Sequence, residues 1–269
     1  MDIPPENSSP FGNGVIRPTA PFQFQVVDYV PQLRLGLRLE CDPTNFIDRY
    51  ILANGIWEPL VLSALHALVK PGDVCVDVGA NAGYLSLVMA GLVGAAGKVL
   101  SFEPNRAIVP KFRRNLELNP SLQSRIELHT TGLGREATTM FLAPDESEIV
   151  GNASLVSLAG AITTESIRVE TLDSHHLTRV DCMKIDVEGM ELDVLMGASK
   201  TIAVSRPVIV FETLRARPPE HHLVVANYLR EFGYGIYSVD FEGKKFKPIT
   251  TALFPQEDTY AIHPARFKL

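Results

Sequence analysis

The sequence predicts a doubly wound α/β domain with a mostly parallel sheet, and three observations carry that expectation. Short apolar runs alternate with helix-length amphipathic segments from Asp73 onward. The first run opens into the small-residue loop Asp77-Val78-Gly79-Ala80-Asn81-Ala82-Gly83, and the second ends on an acidic residue, Glu103. Strands that alternate with helices form βαβ units, and right-handed crossovers place the helices on both faces of the sheet.

In chain order, residues 1–21 carry Pro4, Pro5, Pro10, Pro18 and Pro21 among Ser, Asn and Gly. That composition removes backbone donors and buries little, so it predicts a flexible arm. Residues 22–70 are expected as an extension packed on the core. Within them FQFQVVDYV and LRLGLRLE nearly alternate in polarity, predicting short strands or a hairpin. Trp57–Val69 has helical periodicity and stops at the turn Lys70-Pro71-Gly72.

Residues 71–269 make up the main domain. Asp73–Val78 predicts a strand and Tyr84–Leu92 a helix; Lys98–Phe102 predicts the second strand, with a helix over Arg106–Leu118. Ile126–Thr131 is the third strand. Gly134–Leu172 is less regular, with strand-like runs at Thr138–Leu142 and Ser166–Leu172. Val180–Ile185 and Val208–Glu212 predict the fourth and fifth strands, followed by helices over Met190–Ile202 and Leu223–Phe232. Gly235–Asp240 and Thr259–His263 are late strands that close the chain.

The bulk numbers agree with a single α/β domain plus an extension. The chain has 269 residues, 46% hydrophobic and 21% charged, enough to bury an ordinary core. A net charge of -6 argues against non-specific nucleic-acid binding, which needs a basic surface. Cys41, Cys75 and Cys182 show no CxxC spacing, so they suggest neither a zinc site nor a disulfide framework. No uncharged apolar run reaches the ~18 residues of a membrane span, and the first residues lack a basic region followed by an apolar stretch. A cytoplasmic enzyme with no membrane insertion is expected.

In a doubly wound sheet, ligands bind beyond the carboxyl ends of the strands. Gly79 and Gly83 permit positive φ or close backbone approach, and Asn81 tolerates the left-handed region. Free N–H groups at the start of the following helix suit a carboxylate or phosphate. The dinucleotide pattern G-x-G-x-x-G fails here: its later glycines would fall on Asn81 and Tyr84. No G-K-[ST] follows, so a Walker-type cradle fails too. Glu103 can accept hydrogen bonds from both ribose hydroxyls. Loop and carboxylate together point to an adenosine-containing cofactor.

DVGANAGYLS, then FEPN, then KIDVEGMELDVLMGA resemble the FkbM family of methyltransferases, over roughly Gly55–Glu212. The resemblance implies a Rossmann-like class I methyltransferase fold: a seven-stranded sheet, its last strand antiparallel, that binds S-adenosylmethionine. It implies that Asp77, Gly79, Asn81 and Gly83 form the methionine-side loop and that Glu103 holds the ribose. Pro104 and Asn105 would flank the adenine, and Gly132 and Leu133 resemble its second wall. Glu58 matches a position where the family often carries Glu, within reach of the cofactor's amino group; a solvated helix start explains it equally well.

Asp186 follows the fourth strand, so it should project at the sheet's carboxyl edge. It is a candidate cofactor ligand, and with Glu188 a candidate general base toward an acceptor hydroxyl. Asp186 and Glu212 could ligate Mg²⁺, but no third ligand is evident in sequence, and the histidines show no metal spacing, so no metal is expected. The resemblance implies O-methylation of a sugar, glycolipid or secondary metabolite, the acceptor being a small molecule or glycan. N-methylation and a nucleotide-linked oxidoreductase or epimerase are the alternatives.

Overall fold

The structure is a computed structural model that describes residues 15–18, 25–28, 36–142, 155–156, 165–212, 219–239, 245–249 and 258–266. The expected flexible arm lies outside the described residues, apart from Val15–Pro18. That segment is a strand, paired antiparallel with Gln25–Asp28, which pairs in turn with Glu40–Cys41.

The core is one eight-stranded sheet. Its strands are β1 (Val74–Val78), β2 (Lys98–Phe102), β3 (Ile126–His129), β4 (Cys182–Ile185), β5 (Val208–Phe211), β6 (Gly235–Val239), β7 (Phe246–Pro248) and β8 (Thr259–Ile262). They lie in the order β7-β6-β8-β5-β4-β1-β2-β3. The pairs from β3 to β5 are parallel, and β8 runs antiparallel between β5 and β6. These are the seven strands of the expected α/β sheet with its antiparallel last strand. The eighth, β7, is an added edge strand that pairs with β6 and ends on Pro248, which has no N–H to offer a further neighbour.

Register decides what meets at the carboxyl edge. Phe102, Val78, Ile185, Phe211 and Thr259 form one row across β2, β1, β4, β5 and β8. The ladder runs one residue further, with Gly79 N donating to Phe102 O, Asp186 N to Val78 O and Glu212 N to Ile185 O. The next row is therefore Glu103, Gly79, Asp186, Glu212 and Asp258. Side chains alternate across a sheet, so this row shares a face with Ser101, Asp77, Lys184, Val210 and Tyr260.

That face is covered by α1 (Phe46–Asn54), α2 (Pro59–Leu68), α3 (Tyr84–Val93) and α4 (Val109–Leu118), packed on Cys75, Val99, Cys182, Val208 and Val210. The opposite face carries α5 (Glu191–Gly197), α6 (Ser199–Ser205) and α7 (Pro219–Glu231), packed on Val76, Met183, Ile185 and Phe211.

Besides a one-turn helix at Pro120–Gln123, two helical stretches differ from the sequence expectation. Helix α1 is additional; its signals are its caps rather than its periodicity. Asn45 accepts from Asp48 N at the start, and Gly55, at φ 71°, closes the end. The helix expected over Met190–Ile202 is two helices that break at Ala198. A side chain at Gly197 would meet Gly134 O at 1.9 Å, and Asp173 accepts from Lys200 N, Thr201 N and Thr201 Oγ1 to start the second helix afresh.

Candidate active site

Strand order reverses between β1 and β4, the switch point where doubly wound sheets bind ligands. A cavity of about 400 Å³ opens there. Glu58, Asp77, Gly79, Asn81, Asp186 and Glu188 all line it, although they are spread over 131 positions of sequence. Glu103 joins them through the loop: its carboxylate accepts from Asn81 N at 2.7 Å and from Asn105 N at 2.8 Å. Gly83, Pro104, Asn105, Gly132 and Leu133 do not line the cavity. Gly83 starts α3 at φ 83°, with its Cα hydrogens against the Phe112 ring. Gly132 pairs with Val169 outside the main sheet, and the Leu133 side chain is part of the core.

The backbone is strained where it meets this cavity. Glu58, Asn81 and Glu188 have φ of 49°, 49° and 52°, three of the five described non-glycine residues with positive φ. Such conformations cost about 1–3 kcal/mol each and persist where surrounding contacts hold them. At Gly79, φ is 76° and a Cβ would lie 1.8 Å from Asp186 O, so the loop passes over the end of β4 only as glycine.

The central charge is one the sequence reading did not assign. Lys184 is 4% exposed, and its Nζ donates to Asp186 Oδ2 at 2.7 Å. Burial alone would lower its pKa, but the carboxylates of Asp186, Glu58 and Asp77 outweigh that and hold the ammonium protonated. Burial likewise pushes Asp186 toward its neutral form; Lys184 and a hydrogen bond from Glu212 overcome it and keep Asp186 ionised. Glu212 is raised by burial and by the Asp186 charge, so it holds the proton of the pair. A lysine inside the apolar run VDCMKID was the available signal, because a buried ammonium requires carboxylate partners.

Asp258 was also missed. It precedes β8, and since β8 runs antiparallel its first residues lie at the carboxyl edge of the others. Burial, then the nearby Glu58, raises its pKa well above the usual carboxylate value, with Lys184 opposing. Nothing local in sequence marks it.

Three carboxylates converge where two were expected: single oxygens of Asp186, Glu188 and Glu212 lie within 4.8 Å of one another. Glu188, expected as a candidate base, is the carboxylate that joins Asp186 and Glu212 here. The left-handed backbone at Glu188 turns it back toward the strand ends. A shared proton between Asp186 and Glu212 already relieves part of the repulsion that a cation would otherwise relieve.

Among the site's carboxylates, buried oxygens without a hydrogen-bond partner in the described residues are Glu212 Oε2 and, beside the glycine loop, Glu58 Oε2 and Asp77 Oδ1. The other oxygens of Glu58 and Asp77 accept from Trp57 Nε1 at 3.0 Å and Ser86 Oγ at 2.5 Å. Two orphan carboxylate oxygens beside a glycine loop are a natural seat for an amino acid's ammonium group, since a buried acceptor left unpaired costs about 1–3 kcal/mol. The acceptor set thus fits an adenosyl amino acid, with Glu103 at one end and Glu58 and Asp77 at the other.

Comparison with known proteins agrees. The family model for the methyltransferase FkbM domain matches residues 77–236. The chain belongs to the FkbM methyltransferase family. Two relatives of this FkbM chain are Methyltransferase 1 of Beauveria bassiana and the hexuronic acid methyltransferase AglP of Haloferax volcanii. The first is 29% identical over 150 residues, covering 45% of this chain and 57% of that protein. The second is 29% identical over 152 residues, covering 56% and 60%. The chain therefore spans less than two thirds of each relative's length. A crystal structure of the FkbM methyltransferase of Methylobacillus flagellatus aligns with a TM-score of 0.48 at 18% identity, over 80% of this chain and 52% of that one. The FkbM match begins at Asp77, so Phe46, Trp57 and Glu58, which complete the cavity, lie outside it.

Proposed function

We propose that this FkbM chain transfers a methyl group from S-adenosylmethionine to a hydroxyl of a sugar, glycolipid or secondary metabolite. The observation that carries the reading is the Lys184–Asp186–Glu212 arrangement beside the Gly79–Gly83 loop. It keeps one carboxylate ionised at the mouth of a site whose other groups suit an adenosyl amino acid.

When bound, the cofactor supplies an electrophilic methyl carried on a sulfonium. Glu103 would accept hydrogen bonds from the ribose hydroxyls, and Glu58 and Asp77 would receive the ammonium. Asp77 is oriented from behind by Ser86 Oγ, which itself accepts from Ser101 Oγ at 2.8 Å. An alcohol is a poor nucleophile at neutral pH, so withdrawing its proton as the new bond forms raises the rate. Asp186 would take that proton: Lys184 holds it ionised, and Glu188 is the second carboxylate lining the same cavity. Lys184 opposes proton capture by Asp186 as well as orienting it, so the proton leaves late, when the developing oxonium is strongly acidic. Alignment of the two reactants supplies much of the remaining acceleration.

Isothermal titration of the full chain with S-adenosylmethionine tests the reading. Saturable one-to-one binding is expected, and a wild-type chain that does not bind the cofactor refutes it.

A further inference from the structure

An aromatic part of the cavity wall plays no part in the proton transfer above. Phe46, Ile47 and Trp57 line it. Phe46 and Tyr50 are 41% and 39% exposed, two of the four exposed large hydrophobic residues among those described. Both set their rings edge-on around Trp57, with centroids 6.1 Å and 5.4 Å away and interplanar angles of 90° and 84°. The indole in turn donates to Glu58, which joins this wall to the charged one.

The rings stand on an anchored helix. Asn45 caps the start of α1, Asp48 accepts from Asp42 N at 2.8 Å, and Asp48 pairs with Lys111 on α4. Phe46 thus stays part-exposed on an anchored helix where it lines the cavity, and Tyr50 packs beside Trp57 without lining it. Asp186, Glu188 and Glu212 line the cavity together with loop residues Gly79 and Asn81, whereas Glu103, at the adenosine end, does not.

Resting on methyl transfer to a hydroxyl, we propose that Phe46 and Trp57 form the acceptor platform, with Tyr50 positioning the Trp57 ring edge-on from outside the cavity, and that the acceptor is a neutral glycoside. A pyranose ring has an apolar C–H face and an edge of hydroxyl donors. This cavity has an aromatic wall and a set of carboxylate acceptors to match. Pockets of mostly apolar wall with a few convergent polar groups are the usual form of small-molecule sites. Among the described residues Lys184 is the only basic side chain lining the cavity, and Asp186 engages it. Arg49 lies 6.0 Å from the Phe46 ring centroid without lining the cavity. The described wall therefore offers a carboxylate-bearing ring no cation, and its own carboxylates repel one. Acceptor choice would then reside in α1 and Trp57, which precede the residues the family model matches.

Trp57 is the single tryptophan, so its emission reads this wall directly. The test titrates n-hexyl β-glucoside, β-galactoside, β-mannoside and β-glucuronide into the full chain saturated with S-adenosylhomocysteine. At least one neutral glycoside is expected to change Trp57 emission saturably, and the glucuronide to bind at least tenfold more weakly. Phe46→Ala and Tyr50→Ala are each expected to weaken the neutral glycoside fivefold or more. S-adenosylhomocysteine affinity by calorimetry and the far-UV circular dichroism should stay unchanged in both variants. The platform is overturned if no neutral glycoside perturbs Trp57, if the glucuronide binds as well, or if both variants bind like wild type. Failure of S-adenosylhomocysteine to bind wild type refutes the transfer reading instead, and the same titration of the unliganded chain then still decides the platform.

Discussion

Lys184 and Asp186 stand two residues apart at the end of β4, point to the same face of the sheet, and meet through a 2.7 Å contact from Nζ to Oδ2. Every other charge of the site is arranged around that pair. Lys184 is the one described cation against Asp77, Asp186, Glu58 and Asp258.

Replacing Lys184 by Met should therefore destabilise the chain by about 3–5 kcal/mol, the range for removing one partner of a buried ion pair. Urea unfolding measures it. The double variant Lys184→Met with Asp186→Asn should recover part of the loss, since the stranded charge is gone. A double variant as unstable as the sum of the singles would show that packing, rather than charge, is what Lys184 supplies.

Glu212 gives a pH signature of known sign. Its folded pKa is raised above the unfolded value by burial and by Asp186, so the native state binds more protons than the unfolded chain above the normal Glu range. Stability must fall as pH rises through that window. Glu212→Gln removes the titration. The Tm of the variant minus that of wild type should grow from pH 5 to pH 9, followed by scanning calorimetry; a flat difference would mean Glu212 is ionised in the native chain.

Burial pushes Glu103 up to about 7, against backbone hydrogen bonds from Asn105 and Asn81 that lower it. The ionised form is the better acceptor for ribose hydroxyls. Affinity for S-adenosylmethionine should thus rise between pH 6 and pH 8. Glu103→Ala should abolish the rise and weaken binding roughly tenfold to a hundredfold, the equivalent of about 1.5–3 kcal/mol for hydrogen bonds to a charged group. Calorimetric titration at both pH values reads each effect, and the far-UV spectrum should not change.

Gly79→Ala should cost about 2–4 kcal/mol, from overpacking against the Asp186 carbonyl together with a left-handed φ. Gly36→Ala is the control, because a Cβ there meets nothing within 4 Å. Thermal melts of the two variants should differ accordingly.

The three converging carboxylates make a metal effect measurable. Because Glu212 holds a proton against Asp186 and Lys184 supplies a positive charge, cofactor affinity should be the same in EDTA and in millimolar Mg²⁺. A tenfold gain with Mg²⁺ would instead assign Asp186, Glu188 and Glu212 as ligands.

Much of this was legible in the linear chain because its signals are local. Apolar runs such as VCVDV and CMKI mark buried parallel strands, and a strand followed by small residues and a helix marks the loop at Gly79–Gly83. Asn81 argued against a dinucleotide, and Glu103 argued for adenosine. These inferences need only period, spacing and the conformational preferences of Gly and Asn. Helix α1 escaped because only its caps announce it, and the break at Ala198 escaped because Asp173 and Gly134 cause it from outside the helix.

Which charges share a face, and which group holds each proton, follow from long-range packing. Asp186, Glu212 and Asp258 come from three strands, one of them antiparallel, and only the register Ile185–Phe211–Thr259 makes them neighbours. Their protonation then follows from burial and from distances of a few ångströms, quantities that sequence spacing does not contain. The sheet, the loop and the kind of cofactor are written in the linear chain, because backbone preferences act between near neighbours. The acid–base state of the site and its aromatic wall were set by contacts between segments far apart along the chain.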